Sequence, residues 1–250
     1  MPLKKHIGMN DRRQVTTSYW DYFDKIYCIS LAQRTDRHAA AKRQFEHVGL
    51  TGKVEFIIVD RHPHNRMQGN YESHMACMQK ALQAGAETIA IFEDDILFEG
   101  FSPTQLKNGI DFLAANPDCD ILFFGCLVSG SRKTANNSVR KIKFRCLTHG
   151  YALPRRYAEE LVKIPWRGIA FDDMLRDLAA GFYAIYPAFA FQSNAASDND
   201  SCRRLERLRR LWGGLLRIQK ANEFYHRHKI MVIAVHIVLV LILLKLVLPI

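Results

Sequence analysis

Thr88-Ile89-Ala90-Ile91-Phe92 is apolar at every position but the first, and three carboxylates, Glu93, Asp94 and Asp95, follow without a break. The run is too short for an ordinary helix and shows no alternation, so it reads as a strand buried on both faces. Such a strand needs a layer above and a layer below. The rest of the chain supplies them, because short apolar runs alternate with helical stretches. Residues 25–31 read as a first buried strand and 54–59 as a second. Helices are expected at about 37–48, closed by Gly49, and at 73–84, capped by Ser73 and closed by Gly85. Beyond the acidic triplet come a short helix near 111–115, a strand at 120–124, helices near 155–162 and 173–180, and a strand at 182–185. Residues 129–138, rich in Ser, Asn, Arg and Lys, read as a mobile surface loop. The pattern predicts an α/β sandwich around a largely parallel sheet.

The acidic triplet is where this architecture acquires chemistry. Ligands of open α/β sheets bind at the carboxyl ends of strands. Three adjacent carboxylates there repel one another unless a cation or basic groups neutralise them. Oxygen ligands of this kind suit Mg²⁺ or Mn²⁺, which complete their shells with phosphate oxygens and water. A bare Glu-Asp-Asp is equally an acidic surface turn. Arg34 and Arg37 follow the first strand and can hold a phosphate or a base edge, or be solvated surface charge. Ser73 and His74, read at a helix start, can face an anion. Asp172 and Asp173 stand at another loop-to-helix junction. There each is either a helix cap or the general base that deprotonates an attacking hydroxyl.

The net charge of +10 points to anionic partners: nucleic acid, lipid or a nucleotide ligand. Nine Lys or Arg against two Glu fall between Arg203 and Lys229, where Leu and Trp recur at helical spacing, the pattern of a basic interfacial helix. Residues 230–250 are apolar apart from His236 and Lys245, about enough to cross a hydrocarbon core of roughly 30 Å. Anionic lipid therefore accounts for the basic segment better than nucleic acid does. The expected organisation is a loose arm at 1–22, a catalytic domain at 23–201, a basic membrane-surface helix at 202–229 and a transmembrane anchor at 230–250. No apolar segment opens the chain, so the domain is expected on the cytoplasmic side. The six cysteines form no C-x-x-C pair and read as buried thiols.

Several of these residues, in order, resemble glycosyltransferase family 25. Ile26-Tyr27-Cys28-Ile29-Ser30-Leu31 followed by Arg34 and Arg37 is similar to its opening strand and "NL-x-x-R-x-x-R" turn. Gly69 to Ser73-His74 resembles its "GC-x-x-SH" segment, and Ile91-Phe92-Glu93-Asp94-Asp95 its hallmark strand and triplet. His149-Gly150-Tyr151, then Phe171-Asp172-Asp173 with Leu175, Pro187 and Gln192, and finally Ser197-Asp198, resemble the later blocks. Ser30 and Asn70 depart from the family's Asn and Cys. The resemblance spans about residues 25–201. It implies a GT-A fold and an inverting transfer of a hexose, galactose foremost, from a UDP-sugar with Mn²⁺ (or Mg²⁺). Glu93, Asp94 and Asp95 would serve the metal and diphosphate, Arg34 and Arg37 the nucleotide, and Asp172 or Asp173 would act as base. With a cytoplasmic membrane anchor, the implied acceptor is a lipid-linked saccharide such as lipooligosaccharide. The alternative is a catalytically inactive, membrane-tethered module of the same fold.

Overall fold

The computed structural model describes residues 18–178, 181–193 and 213–247. Eight strands make one sheet. They are β1 (Lys25–Leu31), β2 (Glu55–Val59), β3 (Thr88–Glu93), β5 (Ile121–Phe123), β6 (Leu127–Lys133), β7 (Val139–Cys146), β8 (Gly150–Pro154) and β9 (Phe182–Ile185). Their order across the sheet is β2-β1-β3-β8-β5-β9-β7-β6. A two-stranded sheet pairs β4 (Ile96–Phe98) with β10 (Ala190–Gln192) beside the triplet. Six of the eight strands point one way. The exceptions are β8, inserted between β3 and β5, and β7. The sheet is therefore more mixed than its apolar strands suggest. A central strand covered by helices on both faces is apolar whichever way it runs, so Gly150–Pro154 carries no sign of its reversed direction.

Alternation along β3 assigns its two faces. Ile89 and Ile91 enter a core built with α2 (Arg66–Gln83), α4 (Arg155–Leu161) and α5 (Phe171–Asp177). Ala90 and Phe92 enter a second core with α1 (Thr35–His47) and α3 (Pro103–Ala115). The expected sandwich is present, with several boundaries moved. Helix α2 begins at Arg66, not near Ser73, because the Asn65 side chain caps it and accepts from the Met67 and Gln68 amides at 2.9 and 3.2 Å. Gly69 is inside this helix, where a Cβ would lie 2.7 Å from that of His62; the glycine lets the preceding loop press against the helix. Helix α3 is longer than its last turn suggested, since Ser102 caps it and Pro103 occupies its first position.

Residues 129–138 are not a loop. They form most of β6 and its turn into β7, an antiparallel pair whose polar character comes from the sheet edge. The N-terminal boundary moves as well. Trp20 lies in a short 3₁₀ turn at Tyr19–Tyr22, is 2% exposed, and donates its indole N–H to the Val48 carbonyl at 2.9 Å. Residues 18–22 thus belong to the domain and not to an arm; the rest of that expected arm lies outside the described residues. Cys28, Cys77, Cys119 and Cys126 are buried as expected, whereas Cys146, in the polar β7, is only half-buried; Cys202 lies outside the described residues.

At the C-terminus, α6 (Gly214–Arg227) leads into α7 (Lys229–Val247). Among the described residues no single helix is long and apolar enough to cross a membrane. The pair passes that test together but is bent by 91°. Most apolar side chains of α7 between 230 and 244 are exposed, Ile230 at 86% and Leu243 at 60%. The basic stretch from 203 to 212, and Ser197-Asp198, lie outside the described residues.

Trp20→Ala is expected to destabilise the chain by about 3–5 kcal/mol, the cost of emptying a large buried site. Denaturant unfolding measures it, and a loss under about 1 kcal/mol would return residues 18–22 to the arm.

Candidate functional site

Strands β1, β2 and β3 are adjacent and parallel, so their carboxyl ends open on the same side. A cleft of about 300 Å³ lies there, walled by Ser30, Arg37, Arg61, Asp95, Thr148 and Asp172 among others. Each carboxylate of the triplet is held differently. Glu93 ends the strand. Its Oε1 accepts from Thr148 Oγ1 at 2.8 Å and lies 3.3 Å from His74 Nε2, whose other ring nitrogen is 2.9 Å from the Tyr151 hydroxyl. Burial pushes the Glu93 carboxyl up, but the hydrogen bond and charge of His74 bring it below the usual range overall.

Asp94 uses both oxygens. Oδ2 accepts from the Ser30 hydroxyl at 2.8 Å and Oδ1 from Arg37 at 3.2 Å. Burial raises its pKa, against the pull of Ser30 and Arg37. Asp95 Oδ2 accepts from Gln192 Nε2 at 2.7 Å and lies 3.7 Å from Arg37. Asp95 Oδ1 is buried and has no partner among the described residues. Burial, then the charge of Glu93, push Asp95 up to about 7. A buried carboxylate with one open oxygen on a cleft wall fits a hard cation. Asp95 carries such an oxygen, and Asp94 is its neighbour in the chain. Among the described residues no group of three or more His, Cys, Asp or Glu side chains is placed to hold a metal ion.

The two arginines expected here part company. Arg37 reaches the triplet from the first turn of α1, whereas Arg34 pairs with Asp36 at 3.0 Å and does not line the cleft. Ser73 and His74 are not at a helix start. Both are inside α2, where Ser73 donates to the Gly69 carbonyl at 2.6 Å, so neither offers the free backbone N–H groups of a helix end. Ser73 still lines the cleft, and His74 acts beneath it by holding Glu93.

The acidic pair on α5 is divided too. Asp173 faces outward, paired with Arg176 at 2.5 Å, and is not part of the wall. Asp172 is in the wall and accepts from the Leu147 amide and Thr148 Oγ1, each at 2.8 Å. Neither caps α5, whose cap residue is Ala170. Burial and the Glu93 charge raise the Asp172 pKa. Thr148 has one hydroxyl proton and two carboxylate neighbours, so it can donate to Glu93 or to Asp172 but not to both. The two carboxylates are therefore linked through it.

Arg61, His62, Arg66 and Thr148 were not anticipated in the cleft. The first three come from the basic run after β2, whose adjacency to β1 was the available signal: parallel neighbours bring their following loops to one place.

No family model matches the sequence, and no curated protein matches it either. Solved structures with a similar course of chain include mannose-1-phosphate geranyltransferase from Thermus thermophilus, 9% identical, covering 64% of this chain and 73% of that one, with a TM-score of 0.41. Protein A197 from STIV is 12% identical over 67% and 84%, at 0.39. A glycosyltransferase involved in glycosylation of the major capsid of PBCV-1 is 16% identical over 62% and 68%, at 0.36. All three scores are below 0.5, so the functional reading rests on the site's own residues.

The raised Asp95 fixes a pH dependence. With a folded pKa near 7 and an ordinary value of 3.8 when unfolded, Asp95 keeps its proton longer in the native state. Its contribution to stability is therefore lost as pH rises between about 4 and 7. In chelator, Asp95→Asn is expected to be more stable to denaturant than the parent at pH 8, by roughly 1 kcal/mol or more, with the gap closing toward pH 4. An equal difference at both pH values would contradict the assignment.

Proposed function

We propose that the chain is a metal-dependent, inverting glycosyltransferase that moves a hexose, galactose foremost, from a UDP-sugar to a lipid-linked saccharide. This is the activity implied by the resemblance to glycosyltransferase family 25. The observation that carries the reading is the meeting of Asp95, with its open oxygen, and Asp172 in one cleft at the carboxyl ends of three parallel strands. Asp95, with Asp94, would hold Mn²⁺ or Mg²⁺. A bound cation of this kind supplies charge neutralisation for a departing diphosphate. Arg37, Arg61 and Arg66 on the cleft wall favour an anionic donor. Asp172 accepts the proton of the acceptor hydroxyl as its oxygen bonds to the anomeric carbon and the sugar–phosphate bond breaks, releasing UDP. Burial raises the Asp172 pKa, which makes the carboxylate a stronger base than an exposed one. The Leu147 amide and Thr148 fix its direction.

One observation favours a second reading, a non-catalytic binding module of the same fold. Arg37 already reaches both Asp94 and Asp95 and offsets their charge without a metal ion. In that case the donor is bound and not turned over.

We further propose that α6 and α7 tether the domain to an anionic membrane surface, with the domain on the cytoplasmic side. Support comes from the exposed apolar length of α7 and the basic residues that precede it. Full-length chain is expected in the membrane pellet, resistant to salt and released by detergent; recovery in the high-speed supernatant without detergent would remove the tether.

A donor screen that follows UDP release with and without Mn²⁺ tests the activity. Metal-dependent release from one UDP-sugar is the expected outcome, and release that survives chelation would exclude the metal. Asp172→Asn is expected to cut kcat by on the order of 10²-fold or more while leaving UDP affinity intact. Asp173→Asn is expected to match the parent. The opposite ranking would move the base to Asp173.

A further inference from the structure

Two acceptor oxygens on residues that line the cleft are buried without a hydrogen-bond partner among the described residues, and a single hydrogen bond joins those two residues. The Gln192 amide donates through Nε2 to Asp95 Oδ2 at 2.7 Å. That bond fixes which way round the amide stands, because the reverse would set its oxygen against a carboxylate oxygen. Gln192 Oε1 and Asp95 Oδ1 are then both buried with no hydrogen-bond partner among the described residues. Asp95 is only 7% exposed, and both residues line the cleft. Unsatisfied buried acceptors are costly unless something supplies positive charge or a donor.

The backbone around Gln192 is held tightly. In the β4–β10 pair Gln192 stands opposite Ile96, the residue after Asp95, and the Ser193 amide donates to the Asp95 carbonyl at 2.8 Å. From the other side comes Gln219 of α6, 1% exposed on a surface helix. Its Nε2 donates to the Ala190 carbonyl at 2.8 Å and its Oε1 accepts from the Gln192 backbone amide at 3.4 Å. Gly125 makes room for this contact: a Cβ there would lie 1.8 Å from the Ala190 oxygen and 2.7 Å from Gln219 Nε2.

We propose that Gln192 gives its side-chain carbonyl oxygen to the same divalent cation as Asp95, and that Gln219, a positioning residue on α6, holds it in place. Carboxylate and amide oxygens together suit Mg²⁺ or Mn²⁺. The proposal rests on the cation-dependent reading above and adds to it a second protein ligand and a direct mechanical link from the C-terminal helices to the site.

The test is Mn²⁺ binding to the full-length chain in detergent, with and without UDP, read from the electron paramagnetic resonance signal of free Mn²⁺. Thermal melting checks that each variant is folded. Gln192→Ala is expected to weaken Mn²⁺ binding about tenfold. Gln192→Glu loses the donor to Asp95 but keeps an oxygen, so it is expected to bind Mn²⁺ within a few-fold of the parent. If Gln192 served only to hold Asp95, both variants would lose affinity alike, and the proposal would fall. Gln219→Leu is expected to weaken binding several-fold. Combined with Gln192→Ala, it should cost no more than Gln192→Ala alone; full additivity would remove the link through Gln192. Parent protein that binds no Mn²⁺ in either condition would overturn the cation reading itself. Parent protein that binds, with Gln192→Ala unchanged, would overturn this inference alone.

Discussion

Three consecutive carboxylates at the end of a strand buried on both faces set a problem that the rest of the molecule is arranged to meet. Left alone, Glu93, Asp94 and Asp95 would repel one another in a setting that screens charge poorly. Separate parts of the chain each send a side chain to them: Ser30 from β1, Arg37 from α1, His74 from α2, Gln192 from β10, and Thr148 from the residues leading into β8. The same contacts tie together pieces of chain far apart in sequence, so the acidic turn organises the fold around itself.

These contacts are unequal, and the inequality is the functional content of the site. Glu93 is turned inward to His74 and Thr148. Asp94 commits both oxygens to Ser30 and Arg37. Asp95 alone of the three keeps a buried oxygen with no partner among the described residues. A cluster built only for stability has little reason to leave one acceptor bare, because that omission is costly. The open oxygen shares its cleft with Asp172, which is oriented by a backbone amide and a hydroxyl linked to Glu93. Two carboxylates held in different ways, Asp95 and Asp172, thereby line one cleft.

Much of the scaffold was legible because the hydrophobic effect writes it plainly. Runs such as residues 88–92 can only be central strands, and the apolar positions of α2 face the core as their spacing requires. The triplet's place at a strand end followed directly. Direction of strands was hidden, since β8 is covered on both faces and looks like its parallel neighbours. The β6–β7 hairpin was hidden for the opposite reason: an edge strand is polar enough to pass for a loop. The apolar spacing of residues 73–84 alone put Ser73 and His74 at a helix start, whereas the Asn65 cap begins the helix earlier and leaves them in its interior. Asp95, Arg37 and Asp172 line one cleft, and their positions after β3, after β1 and at a loop-to-helix junction had already drawn notice to them. Separating Asp172 from Asp173, or Arg37 from Arg34, required knowing which way each helix faces. Gln192 and Gln219 meet only through tertiary contact, and no local pattern announces such a pair.

The central claim, a cation held by Asp95 for a nucleotide-diphosphate ligand, is tested most directly by anomalous diffraction at the manganese edge from crystals grown with Mn²⁺ and UDP. The expected result is a single strong peak in the cleft beside Asp95 Oδ1, lost in Asp95→Asn. A peak elsewhere, or UDP bound in the cleft with no metal beside Asp95, would contradict it.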